Sequence, residues 1–155
     1  MKNRLLLVDD DPAVRESLTN VLIGEGYDVV PVANGIEATD AAASQPVDLV
    51  LLDLNLPKRN GWDTFESLAR QNPHLPVIII TARPNQLFAA LAAGVGALME
   101  KPLDFPKLLQ TIRNLLAEPA EARLARLVGK PGEFHYMPAP PSTDQGTGVR
   151  LVRDA

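Results

Sequence analysis

Cysteine is absent from the 155-residue chain, and only two histidines are present. Disulfides and cysteine-ligated zinc are therefore excluded, and the lack of thiols suits a reducing compartment. Long hydrophobic runs are missing too. Only four apolar residues, 5–8, separate the N-terminus from the first carboxylates, whereas a membrane span needs roughly 18. With no pattern resembling a signal peptide, we expect a soluble, cytoplasmic protein that makes no membrane contact.

An excess of positive charge is also lacking. Residues 1–117 hold 10 Lys and Arg against 14 Asp and Glu, while residues 118–155 hold five of each. The C-terminal segment is therefore not a basic arm, and we expect no direct nucleic-acid binding by this chain. The apolar fraction of 46% is sufficient for the packed core of one domain.

Short apolar runs alternate five times with helical patterns. Three of the runs are continuous rather than alternating, which is typical of parallel strands covered on both faces. Right-handed crossovers then predict an α/β fold, a (βα)5 doubly wound, five-stranded parallel sheet in a three-layer sandwich. The predicted strands are Arg4–Val8, Tyr27–Val32, Asp48–Leu52, Val77–Thr81 and Ala97–Glu100. The predicted helices begin near Pro12, Asn34, Gly61, Asn85 and Asp104.

Composition changes after Ala117. Glycine and proline make up nine of the last 38 residues but only 15 of the first 117, so we expect residues 1–117 to form the domain and 118–155 a C-terminal extension. One short helix is predicted at about 119–128, followed by extended or disordered chain. The segment "EFHYMPAP" could be a docking peptide or an intramolecular strap, but its composition favours disorder.

Three carboxylates follow the first strand in "VDDDP". Asp11 precedes Pro12 and is expected to cap the next helix, which leaves Asp9 and Asp10 side by side. Two like charges about 4 Å apart repel by about 4 kcal/mol at an effective dielectric constant near 20. We therefore expect a positive partner close to them.

The carboxyl ends of parallel strands meet at one edge of a sheet, where ligands bind. Asp53 ends the third strand, Thr81 the fourth, and Lys101 follows the fifth. Each residue alone has an ordinary structural explanation, but their convergence with Asp9 and Asp10 favours chemistry. Oxygen ligands without His or Cys suit Mg²⁺. Asp53 could then act as a nucleophile toward a phosphoryl group, with Lys101 and Thr81 binding its oxygens.

Residues 1 to about 117 resemble the response-regulator receiver domain of two-component signalling, on the motifs "LLLVDDDP", "DLVLLDLNLPKRNG", "VIIITAR" and "LMEKPLD" in that order. The resemblance implies a flavodoxin-like strand order, 2-1-3-4-5, and an aspartyl phosphate on Asp53. It also implies phosphate contacts from Thr81 and Lys101, a close approach or positive φ at Gly61, and a cis Lys101–Pro102 peptide. The implied Mg²⁺ ligands are Asp9, Asp10, Asp53 and the main-chain carbonyl of Asn55.

Partners follow from the same resemblance: a sensor histidine kinase or phosphotransfer protein, a downstream protein target, and a homodimer as an option. The chain looks like a stand-alone receiver, with an output surface on the fourth helix, fifth strand and fifth helix. Receivers commonly carry an aromatic residue three positions before the lysine, where this chain has Leu98. The output surface is expected to include Phe88, Leu91, Leu98, Lys107, Gln110 and Asn114.

Two other interpretations stay open at this point. One is a Mg²⁺-dependent phosphatase of the haloacid-dehalogenase type, which shares the aspartyl nucleophile. That family has a second Asp two residues after the nucleophile, whereas this chain has Asn55, so we expect no enzyme beyond support of its own phosphorylation and dephosphorylation. The other is a receiver truncated before an output domain.

Overall fold

The computed structural model describes residues 2–56, 60–128 and 134–140. Strands and helices alternate through the first 117 residues, as the sequence predicts. The strands are β1 (Arg4–Val8), β2 (Asp28–Val32), β3 (Leu49–Asp53), β4 (Val77–Thr81), β5 (Ala97–Glu100) and β6 (His135–Met137). The helices are α1 (Pro12–Gly24), α2 (Gly35–Ser44), α3 (Gly61–Gln71), α4 (Leu87–Ala93), α5 (Phe105–Ala117) and α6 (Ala120–Leu127).

Side-chain caps fix where α1, α2 and α5 begin. The Asp11 carboxylate accepts from the Ala13 N–H at 2.9 Å, with proline at the first position of α1. The Asn34 side chain caps α2 in the same way, and Asp104 caps α5. One predicted start is wrong: α4 begins at Leu87 rather than near Asn85, because Asn85 has a φ of 63° that an α-helix does not accommodate.

The sheet has the strand order β2-β1-β3-β4-β5-β6, and every neighbouring pair is parallel. Residues of β1 alternate between two cores. Leu5 and Leu7 face the core that α1 and α5 complete, whereas Leu6 and Val8 face the core of α2, α3 and α4. The predicted doubly wound three-layer sandwich and the order 2-1-3-4-5 are confirmed.

The prediction of five strands is incomplete, because β6 adds a sixth strand beside β5. A three-residue strand next to prolines has no usable periodicity. Its order depends on hydrogen bonds that the β5 edge supplies. Of the two predicted states, extended or disordered, residues 134–140 adopt the extended one, while 129–133 and 141–155 lie outside the described residues.

α6 lies within the range predicted for a short helix, and it packs against the domain. A Cβ added at Gly94, which has a φ of +80°, would lie 2.6 Å from the Arg126 carbonyl oxygen. Arg126 is buried and forms an ion pair with Glu118. The backbone of α6 therefore meets the C-terminal end of α4. Among the helices that the structure describes, none is long and apolar enough to cross a membrane.

Candidate functional site

The carboxyl ends of β1, β3 and β5 bring the predicted charged residues together. The Lys101 ammonium lies 2.8 Å from Asp53 Oδ2 and 3.7 Å from Asp9 Oδ2. Carboxylate oxygens of Asp9, Asp10 and Asp53 all lie within 4.8 Å of one another. Residues up to 92 positions apart in sequence, from Asp9 to Lys101, thus form one cluster.

Hydrogen bonds orient the two buried carboxylates. Asp53 is 3% exposed, and its Oδ1 accepts from the Asn55 N–H at 2.8 Å, while Oδ2 accepts from Lys101. Asp9 is 2% exposed and accepts from the Asp11 N–H at 2.9 Å. Asp10 is exposed. The cluster is therefore a fixed buried pair of carboxylates with a third at its mouth.

Burial and mutual charge shift two pKa values. Burial raises the pKa of Asp9. The hydrogen bond from the Asp11 N–H lowers this pKa, whereas the negative charge of Asp53 raises it further. Burial alone would lower the pKa of Lys101, but the hydrogen bond and charge of Asp53 outweigh it, so the lysine pKa is raised. Asp9 carries its charge at a cost in this cluster, whereas Lys101 stays an ammonium throughout the neutral range.

Thr81 ends β4 between the strands that carry Asp53 and Lys101, and it is fully buried. Its Oγ1 accepts from the Arg83 N–H at 2.9 Å, and its carbonyl accepts from the Lys101 N–H at 2.8 Å. The Arg83 guanidinium in turn donates to the Asn55 side chain at 3.1 Å. The loops after β3 and β4 are therefore linked at the mouth of the cluster.

Close packing fixes the loop after β3. A Cβ at Gly61 would lie 2.4 Å from the Leu54 Cα, so the predicted close approach, rather than a positive φ, explains this glycine. The Lys101–Pro102 peptide is cis, as the resemblance implied.

The donor set fits a hard divalent cation. Two buried carboxylates and one exposed carboxylate, with oxygens within 4.8 Å of one another, are the kind of oxygen ligands that Mg²⁺ takes. A cation there would also offset the repulsion among the three carboxylates, which Lys101 neutralises only in part. The structure places Asn55 beside the cluster through its N–H, and the role of its carbonyl stays a prediction.

Sequence reasoning missed Arg15, whose guanidinium donates to the Asp9 carbonyl oxygen at 2.7 Å. Its place one turn after the helix cap was the available signal, since that turn points back toward the end of β1.

On the expected output surface, Leu98 is wrong as a surface residue because it is fully buried. Phe88 is 84% exposed and Leu91 46% exposed, so α4 does present apolar side chains.

Known proteins match this chain in sequence and fold. The family model of the response regulator receiver domain matches residues 5–113. The chain belongs to this family. Response regulators are signalling proteins rather than classical enzymes, and they receive phosphate from histidine kinases. Receiver domains bind Mg²⁺ at the acidic aspartate pocket, which is the chemistry that the donor set fits.

Relatives of the receiver include longer regulators. The chain is 35% identical over 161 aligned positions to the DNA-binding response regulator MtrA of Mycolicibacterium smegmatis, covering 98% of this chain and 67% of MtrA. It is 38% identical over 118 positions to the response regulator MprA of Mycobacterium bovis, covering 75% of this chain. The chain spans about half of MprA, with 51% of that relative covered.

Solved receiver structures have the same fold. A CheY-like receiver domain from Methanospirillum hungatei matches with a TM-score of 0.71 at 30% identity, covering 75% of this chain and 94% of the other. The response regulator TrrA of Thermotoga maritima, solved in complex with Mg²⁺-BeF, matches with a TM-score of 0.69 at 30% identity, covering 74% and 99%. The receiver fold thus accounts for about three quarters of the chain.

Proposed function

We propose that this receiver is a phosphoacceptor switch in which Asp53 takes a phosphoryl group from a sensor histidine kinase or a phosphotransfer protein. The observation that carries the proposal is the environment of Asp53. Its buried carboxylate has an ammonium at 2.8 Å and two further carboxylates within 4.8 Å. A carboxylate with only a structural task would not need two negative neighbours, because they raise the cost of its charge.

In the transfer step, a carboxylate oxygen of Asp53 attacks the phosphorus of a phosphohistidine. A P–O bond forms, the P–N bond breaks, and its electron pair returns to the imidazole of the donor, which takes up a proton from water. Asp9, Asp10, Asp53 and the main-chain carbonyl of Asn55 would hold the Mg²⁺. When bound, the ion supplies positive charge that lets an anionic donor approach this acidic edge.

Lys101 and Thr81 bind the transferred group in this proposal. Lys101 already donates to Asp53 Oδ2, so its ammonium is placed to move to the new phosphoryl oxygens. Thr81 Oγ1 is used as an acceptor by the Arg83 N–H, and its hydroxyl proton can point to a phosphoryl oxygen. Both residues then stabilise negative charge that develops during transfer.

The experiment is intact-mass measurement after treatment with acetyl phosphate and Mg²⁺. We expect one phosphoryl group per chain on the wild type and none on Asp53→Asn. The matched control is Asp63→Asn, an exposed carboxylate in the first turn of α3, which should be modified like the wild type. An unmodified wild type would refute the proposal. Continuous turnover of a phosphatase substrate would instead favour the enzyme, although Asn55 stands where such an enzyme has its acid–base Asp.

The output in this proposal is a change in protein contacts around α4, β5 and α5, where Phe88 and Leu91 are exposed. We place the receiver domain at 1–117 and the extension at 118–155, and we assign the protein to the cytoplasm. MtrA is described as DNA-binding, but this chain has a net charge of −4, and we propose a protein target rather than nucleic acid. Retardation of duplex DNA at moderate salt by the phosphorylated chain would contradict that part.

A further inference from the structure

The outer edge of β5 is covered by the chain's own C-terminal segment. Residues 134–140, here called the strap, contain β6 in parallel register with β5. Leu98 pairs with Tyr136, and the His135 N–H donates to the Gly96 carbonyl at 3.2 Å. The strap therefore satisfies backbone groups that an edge strand would otherwise leave open.

Side chains of the strap reach both cores. Met137 is buried in the core shared with α5, where its sulfur accepts from the Thr111 hydroxyl at 3.2 Å. Phe134 packs against the core on the opposite face of the sheet. The strap is thus seated on the sheet rather than lying loosely over it.

One carboxylate also binds the strap next to the functional site. Glu100 Oε2 accepts from the Tyr136 hydroxyl at 3.0 Å, and Oε1 accepts from the Ala139 N–H at 2.9 Å. Glu100 is joined by one peptide bond to Lys101, the residue that donates to Asp53. Any movement of Lys101 that shifts the end of β5 therefore acts directly on both strap hydrogen bonds.

The strap buries little of its own surface. β6 has three residues, and Met137 is the one buried side chain among the described strap residues, while Tyr136 is 37% exposed. Elements with so few buried apolar contacts lie at the low end of local stability and open before the rest of the fold. The two hydrogen bonds to Glu100 add to the backbone pairing that attaches the strap.

We propose that residues 134–140 are an intramolecular ligand of the β5 edge, held by Glu100 in the unphosphorylated protein and released when Asp53 is phosphorylated. The inference rests on the proposed function, in which Lys101 leaves Asp53 Oδ2 for the phosphoryl oxygens. Release uncovers the hydrogen-bonding edge of β5 at the centre of the proposed output surface. Coupling is reciprocal, so loosening the strap also favours the phosphorylated state.

Hydrogen–deuterium exchange of the full chain tests this inference. The strap peptide is compared in Mg²⁺ alone and in Mg²⁺ with acetyl phosphate, and the intact mass of each sample reports the phosphoryl group. We expect exchange at Ala139 and His135 to become about tenfold faster on phosphorylation, which corresponds to about 1.4 kcal/mol of lost protection. Asp53→Asn should show no change.

Variants in the full chain separate the anchor from the signal. Glu100→Ala should give fast strap exchange before phosphorylation and no further acceleration after it. Tyr136→Phe, which loses one of the two hydrogen bonds, should fall between Glu100→Ala and the wild type. Glu66→Ala removes an exposed carboxylate on α3 and should behave as wild type.

The two failures are distinguishable. If the mass shows the phosphoryl group while strap exchange is unchanged or slower, the strap inference is overturned and the proposed function stands. If no phosphoryl group is added, the proposed function fails on the mass alone, and the release step fails with it. If the strap of Glu100→Ala exchanges at the wild-type rate, the carboxylate does not anchor the strap.

Discussion

Replacing Asp10 by Asn should make the metal-free protein more stable and remove its response to Mg²⁺. Asp10 is exposed, so its substitution disturbs little packing. Its carboxylate lies within 4.8 Å of the carboxylates of Asp9 and Asp53. At that distance each repulsion is about 0.9 kcal/mol in a water-like dielectric and about 3.5 kcal/mol at an effective dielectric constant of 20.

The expected gain lies near the lower limit, because the mouth of the site is open to water and Lys101 also attracts Asp10. We expect the free energy of unfolding to rise by about 1 kcal/mol in EDTA. For a chain of this size, about 2–4 °C in Tm accompanies each kcal/mol.

Mg²⁺ should reverse the order. A ligand that binds only the folded state at ten times its Kd adds about 1.4 kcal/mol, so the wild-type Tm should rise by about 3–6 °C. Asp10→Asn loses a ligand, and its Tm should barely move at the same concentration. The assay is thermal unfolding by circular dichroism at pH 7, in EDTA and in Mg²⁺, with the wild-type Kd measured by calorimetry.

Asp40→Asn is the matched control, because Asp40 is an exposed carboxylate on α2. It should match the wild type in both buffers. The reasoning is refuted if Asp10→Asn is less stable than the wild type in EDTA, or if Mg²⁺ stabilises both proteins equally. The first result would mean that the three carboxylates do not repel measurably, and the second that Asp10 is not a ligand of the ion.

Three further predictions test the surroundings of the site. The pKa of Lys101 is raised from 10.5, the value in the unfolded chain. Its contribution to the free energy of unfolding should therefore be fully present below pH 10.5 and be lost as pH rises through the folded-state pKa. Unfolding titrations of Lys101→Met should lack this loss at alkaline pH. Gly61→Ala should cost about 1–3 kcal/mol in urea unfolding, because its Cβ would meet the Leu54 backbone; wild-type stability would contradict the close approach. Glu118→Ala removes the carboxylate from buried Arg126, so amide exchange in α6 should accelerate, and unchanged protection there would show that the ion pair does not hold the helix.

The acidic cluster also predicts how the stability of the metal-free protein changes with pH. Because the pKa of Asp9 is raised, the folded state holds this proton at pH values where the unfolded state has lost it. The contribution of Asp9 to stability therefore falls as pH rises from 3.8 through the folded pKa. Mg²⁺ requires the ionised carboxylate, so it should lower that pKa and oppose the loss.

The sequence by itself determined the alternation of strands and helices and the edge on which the site lies. Continuous apolar runs such as residues 49–52 can only be buried on both faces, and Asp11 and Asn34 begin helices through local hydrogen bonds that need no distant partner. Once the strands are parallel, Asp9, Asp53 and Lys101 must come to one edge. These features depend on local chemistry and on topology, both of which the order of residues carries.

Only the tertiary structure decided the hydrogen bonds of Asp53, the contact from Arg15 to Asp9, and the place of the strap. Each depends on a distance between residues that are separate in sequence. β6 illustrates the reason: three residues beside prolines have no stable conformation alone, and they become a strand because β5 offers an open edge and Glu100 two acceptor oxygens. Leu98 is buried because its side chain packs in the core that α2, α3 and α4 cover, a contact that its own local sequence does not reveal.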